Sequence, residues 1–330
     1  RDLNKWAAEA RAGKMETSEL TAVDKLMLAD AGVAGADAEL NEILTPSDLE
    51  RASTRMDKLS LDDEQAMERM LAKAETPQER AYLMKALAAG HSVDEIAKFQ
   101  DKIHGKDPDW MRRHLTPVVT AADSMNDEGV APNGANNNTD SVTFRGQGWT
   151  QGGDGSEGTC VASSTVTARA MVDPVYALQL TGGPDGQQDD AAAFRQRLVA
   201  EQHRLHTEGG GGKNWNGMGW EGKERILDAS VGKATGTDYE RRELNSADDR
   251  RAVLTEVEKS VAEGRPVPFG VKGKDGGHAM TIIAQEGDML QVYNPWGTTT
   301  WVSEDDFING RMGKASDSDL PDAYHLHLPR

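Results

Sequence analysis

Between residues 45 and 122 the apolar positions recur every three or four residues, the period of one helix face. Met67, Met70 and Leu71 form one stripe, and Leu83, Met84 and Leu87 form another. Start signals bracket these stripes. Thr45-Pro46-Ser47-Asp48 offers an N-cap, a proline at the first helical position and an acid in the first turn. Thr76-Pro77-Gln78-Glu79 repeats that order and completes a capping box, and Ser92 with Glu95 is another. Gly90 suits the end of the preceding helix. Residues 1–122 therefore read as an all-helical domain of unknown role, with the methionine-rich stripes as its core.

Periodicity stops over 123–140. DSMNDEGVAPNGANNNTD is polar and rich in Asn and Gly, and reads as a linker or long exposed loop between two domains. From Ser141 onward both periods occur. A helix is expected from Cys160 through ASSTVTARAM, another over Asp189–His206, and a third capped by Ser246 with Asp249 in its first turn and Gly264 past its end. Strands are expected at RPVPFGV, HAMTIIAQ, MLQVYN, TTTWV and AYHLHL, with a hairpin turn at Glu286-Gly287-Asp288 and a short helix capped by Ser303 and Asp306. Helices first and antiparallel sheet afterwards is an α+β order. The second domain is placed at 141–330.

Charge narrows the partners. The 330 residues carry 55 acids against 37 bases, a formal net charge of -18. Phosphate binding needs clustered Lys and Arg, so nucleic acid is disfavoured, and so are anionic membranes. Mean hydropathy is -0.65 and no apolar run is long enough to cross a bilayer, so a soluble protein is expected. The start, RDLNKWAAEA, has neither an initiator Met nor a signal-like apolar core, and reads as a fragment or processed form. Secretion and an origin as an effector fragment of a longer protein both stay open.

A single cysteine excludes an intramolecular disulfide. A lone Cys is usually a small core residue, and becomes a candidate nucleophile only in company with His and Asn or Asp. Cys160 sits in GSEGTCVASSTVTARA, where glycine-rich chain enters a helix. Unpaired N–H groups and the macrodipole at that end favour a thiolate. His278, in KDGGHAMTIIAQ, is delivered by a glycine turn onto the start of a strand, and Gly277 beside it leaves room for a substrate backbone. Asn294, in VYNPWG, ends the next strand. Across an antiparallel pair it can accept from the ring and fix its tautomer, with Trp296 covering the bond. The bland alternative is an ordinary Asn-Pro turn.

Other features weigh less. His203 and His206 lie three apart on a helix without further ligands, and His325 and His327 share one side of the last strand. Glu208–Lys213 lacks the spacing of a phosphate loop. Its Gly210 and Gly211, with Trp215 and Trp220 beyond, read as a flexible wall of a substrate cleft or as plain loop. Asp317, Asp319 and Asp322 lack the pattern of a calcium loop. No metal and no cofactor is expected.

GHAMTI followed by YNPWG resembles the histidine and asparagine boxes of calpain-type peptidases in the papain-like clan. QGG…GTC resembles a loosened form of their Gln-Gly…Cys box, and Thr181-Gly182-Gly183 their Thr-Gly-Gly element. The likeness covers roughly residues 145–310 and implies a papain-like fold and a Cys160–His278–Asn294 triad. A protein or peptide would be the substrate, cleaved through an acyl-enzyme. The helical half is left as an inhibitory or docking module. The family's oxyanion glutamine lies six residues before the cysteine, where this chain has Asp154. Gln151, brought in by a glycine bulge, is the expected substitute. The same triad would also serve a glutamine deamidase or a transglutaminase-like effector, and a degenerate binding module is a further alternative.

Overall fold

The computed structural model describes residues 43–118, 139–274, 276–316 and 319–330. The expected linker lies almost wholly outside them. Only Thr139 and Asp140 of that stretch are described, and they open the first strand. Asp317 also lies outside.

Five helices fill the first described segment: α1 (Pro46–Asp57), α2 (Leu61–Lys73), α3 (Pro77–Ala88), α4 (Val93–Ile103) and α5 (Pro108–Leu115). Both stripes are core, with Met67, Leu71, Leu83 and Leu87 fully buried and Met70 and Met84 nearly so. Thr45 makes a reciprocal capping box with Asp48. The boxes expected at Thr76 and Ser92 are only half made. Each hydroxyl accepts its backbone N–H, but Glu79 is drawn away to Gln100 and His104, and Glu95 to His91 and the Ser92 hydroxyl. Buried or charged partners outcompete an exposed N–H.

The rest of the described chain is α+β. Its elements are β1 (Thr139–Ser141), β2 (Thr143–Phe144), β3 (Gln147–Gly148), α6 (Cys160–Val172), α7 (Pro174–Gly182), α8 (Ala191–Glu208), α9 (Trp220–Leu227), β4 (Tyr239–Glu243), α10 (Ala247–Ala262), β5 (Val267–Gly273), β6 (Gly276–Glu286), β7 (Met289–Asn294), β8 (Thr298–Ser303), α11 (Glu304–Ile308) and β9 (Asp322–Pro329). The main sheet runs β1-β8-β7-β6-β5-β9-β4, with every pair antiparallel.

Two cores sandwich this sheet. On one face Val253, Leu254 and Val257 of α10 meet Val267, Phe269, Met280 and Leu326. On the other, Ala162, Val166 and Ala170 of α6 pack with Phe194 and Leu198 of α8 and with Ile283 and Tyr293 of the sheet. Helix α6 is therefore clamped against β6. The helical segment leans on the same assembly: Leu178 of α7 belongs to its core, and Thr181 Oγ1 donates to the His114 carbonyl at 2.9 Å.

The strands, the Gly287 turn (φ 58°) and the Ser246 and Ser303 caps agree with the patterning. Helices α7 and α9 and strands β1–β4 had no clear local signal. Strand β4, YERRE, is mostly polar and exists because β9 pairs with it.

Candidate active site

Cys160 is the first residue of α6. Its N-cap, Thr159, makes no side-chain capping bond, and Thr159 Oγ1 is buried without a partner. The first-turn N–H groups are left unclaimed by that cap, so the helix presents its positive end uncapped. The sulfur faces the His278 imidazole and the backbone N–H of Ala279, both on β6. Burial pushes the thiol up. The facing His278 imidazole, the Ala279 N–H and the Lys223 ammonium outweigh that, and hold it below its ordinary value.

His278 is 7% exposed. Its Nε2 lies 2.8 Å from Asn294 Oδ1, which leaves Nδ1 as the nitrogen for Cys160. Asn294, at the end of β7, is held at both ends of its amide. Nδ2 donates to the Ala315 carbonyl at 3.0 Å, and Oδ1 also accepts the Trp296 N–H at 3.0 Å. Trp296 stacks on the imidazole with ring centroids 4.4 Å apart and planes 23° apart. Cys160, His278, Asn294 and Trp296 thus meet from three elements: a helix start, a strand start and the turn after the neighbouring strand.

The loop before Cys160 is tightly wound. Gly153, Asp154 and Gly155 all have positive φ, and Asp154 turns outward beside Arg195 with its carboxylate 96% exposed. The loop is anchored to the asparagine turn, because Gln151 N donates to the Pro295 carbonyl at 2.8 Å and Tyr293 Oη donates to the Trp149 carbonyl. Gln151 does something other than expected. Its Nε2 donates to the carbonyls of Gly155 (3.0 Å) and Glu157. Both amide hydrogens are taken by its own loop, so in this arrangement none is left for an oxyanion.

The glycine-rich wall is pinned. Trp215 stacks on His203 at 3.7 Å and meets the edge of His206, and His203 Nε2 bonds Glu157 at 2.8 Å. Gly158 N donates to the Trp215 carbonyl, and Gly158 O accepts from Gly217. Gly210, at φ 83°, and Gly211 end α8. A Cβ at Gly211 would fall 2.2 Å from the His206 ring. These glycines have a local reason, helix termination against His206. Trp220 is 52% exposed, with Arg241 over its ring, and Gly277 is exposed beside His278. Thr181-Gly182-Gly183 ends α7.

Among the described residues no group of three or more His, Cys, Asp or Glu could hold a metal ion, and no helix is long and apolar enough to cross a membrane. Sequence reading passed over Lys223. It is 5% exposed and lies in the first turns of α9, where burial brings its ammonium down to about 8 against the opposing pull of Cys160. A lysine among WEGKER gives no local sign of burial.

No protein-family model matches this chain, and no curated protein matches it. Among solved structures, the Pseudomonas avirulence protein AvrPphB is similar over 52% of this chain and 90% of its own, at 12% identity and a TM-score of 0.28. At that level the reading of the site stands on its own geometry.

Proposed function

We propose that this chain is a papain-like cysteine peptidase, with Cys160 as nucleophile, His278 as acid and base, and Asn294 orienting the imidazole. One observation carries the reading: a thiol at an uncapped helix start faces an imidazole whose far nitrogen is held by a buried asparagine. The α+β order, helix α6 against an antiparallel sheet, is compatible with that fold. The calpain-type assignment rests on sequence motifs alone: GHAMTI, YNPWG, the loosened QGG…GTC box and Thr181-Gly182-Gly183.

The chemistry follows from the parts. The Cys160 thiolate attacks a peptide carbonyl carbon, and the carbonyl oxygen takes the negative charge at the start of α6. The Cys160 N–H is the natural donor there. His278 gives its proton to the departing amine, leaving a thioester. His278 then takes a proton from water, which attacks the thioester, and the thiolate leaves. A placed acid–base group of this kind is worth about 10²–10⁴ in rate. Gln151 supports the site by holding the loop before Cys160. Trp220, exposed at the start of α9, is a candidate substrate contact.

The test is incubation with a diverse peptide mixture read by mass spectrometry, with Cys160→Ala as control. New peptide termini that vanish in the control support peptidase action. Ammonia release from glutamine without new termini would replace it with deamidation. No product of either kind, with Cys160 unreactive toward a thiol probe, would mark a binding module.

A further inference from the structure

Lys223 is a buried ammonium whose hydrogen bond among the described residues goes to an imidazole, His325 Nε2, at 3.0 Å. No carboxylate pairs with it there. An ammonium out of water without an opposite charge is costly. His325 offers only a lone pair, since burial, with the charges of Lys223, Arg241 and His327, keeps its ring neutral.

Geometry supplies the missing anion. His325 lies opposite Gly270 across β9 and β5, and Gly270 lies opposite Ala279 across β5 and β6. Glycine is required in the middle of this row. The His325 ring lies over it, and a Cβ there would come within 2.1 Å of the ring. Ala279, the next member, turns its N–H toward the Cys160 sulfur. Strands lie about 4.8 Å apart, so the ring that holds Lys223 leans over the one residue separating it from the strand that holds the sulfur. The backbone closes the gap from above. Gly158, two residues before Cys160, is bridged to Asn216, just ahead of α9, which sets the first turns of α6 and α9 side by side.

We infer that Lys223, steadied by His325, is a second counter-charge for the Cys160 thiolate, a positioning residue that acts through the ionisation of the sulfur. The groups facing the sulfur and Lys223 are His278 and the Ala279 N–H from β6, Tyr324, His325 and His327 from β9, and Arg241 from β4. The carboxylate nearest to them, Glu243 on β4, is paired with Arg241 at 3.1 Å and has no bond to Lys223 among the described residues. A fixed cation favours the thiolate before attack and again when sulfur departs from the thioester as the leaving group. This consequence for turnover rests on the peptidase reading. The ionisation itself does not.

The experiment needs no substrate. The chain has one cysteine, so alkylation by iodoacetamide, followed as intact mass on the full chain across pH, reads Cys160 alone. Lys223→Met should move the midpoint of the rate–pH curve up by about one unit, a tenfold slower alkylation on the acid side. Lys223→Arg should stay within about threefold of the wild-type rate, since its charge is kept. If circular dichroism shows Lys223→Met unfolded, Lys223→Gln makes the same reading. A folded neutral variant with an unmoved curve overturns the inference, as does an Arg variant displaced as far as Met. His278→Ala in the same assay separates the two readings. A curve that moves for His278 and not for Lys223 sinks this inference alone, while a wild-type thiol of ordinary acidity sinks the triad.

Discussion

His278 Nε2 and Asn294 Oδ1 face each other at 2.8 Å, and the amide cannot turn over, because Nδ2 is bound to the Ala315 carbonyl and Oδ1 to the Trp296 N–H. The asparagine oxygen must therefore meet a ring N–H, which fixes the tautomer. Cys160→Ala should abolish turnover, and His278→Ala should lower it by at least about 10²–10⁴. Asn294→Ala removes one hydrogen bond to a group that becomes charged, about 1.5–3 kcal/mol, or roughly 10–150-fold in kcat. Steady-state kinetics on a cleaved peptide checks the ordering, and full activity in Cys160→Ala would overturn the assignment.

Gln151 separates two kinds of support. Its amide is bonded to two loop carbonyls, Gly155 and Glu157. Gln151→Ala strands both, at about 1–3 kcal/mol each where they stay dry. Its melting temperature should fall together with kcat. A pure oxyanion donor would instead show a loss of about 10²–10³ in kcat at unchanged melting temperature. Calorimetry alongside kinetics distinguishes them.

Trp296 covers one face of His278 while itself 39% exposed. A stacked pair of this kind is worth about 0.5–1.5 kcal/mol. Trp296→Ala should lower kcat about two- to tenfold with little change in thermal stability, and Trp296→Phe should restore most of it. A large drop in melting temperature would assign the indole to the core.

His91 joins the helical segment to α7. Nδ1 bonds Glu95 at 2.7 Å, and Nε2 bonds the buried Asp173 at 2.8 Å, whose carboxylate also caps α7. Burial alone would lower the imidazole, but the two acids outweigh it and raise it. A raised folded value means that this stability is fully present below the unfolded value of about 6.5 and is lost as pH rises through the folded one. Urea midpoints should therefore decline from pH 6 to pH 8.5 in the wild type and less so in His91→Gln. Equal slopes would show that His91 is not the titrating group.

Cap chemistry and periodicity act within a few residues, so they could be read in the chain itself. Thr45, Ser246 and Ser303 begin helices where their side-chain oxygens have an N–H three residues on. The alternation in HAMTIIAQ and MLQVYN predicts strands that the sheet contains. The expected meeting of His278 with Asn294 also follows from locality, since two strands joined by one tight turn can hardly avoid each other. Strand β4 was hidden because its side chains are mostly polar and its partner lies some 85 residues away, at β9.

The chain order of Cys, His and Asn boxes, the helix that starts at Cys160, the α+β succession and the acidic balance are properties of the sequence alone. Each depends on residue type and short-range spacing. Tertiary structure decided the fate of Gln151, whose amide orientation depends on a loop wound through three left-handed residues. It also drew Glu79 away from its cap toward Gln100 and His104, and set His325 over Gly270, where its ring meets the buried Lys223. The reason is physical. Hydrogen bonds and charges choose among partners by distance and burial, and those are set only when segments a hundred residues apart have packed.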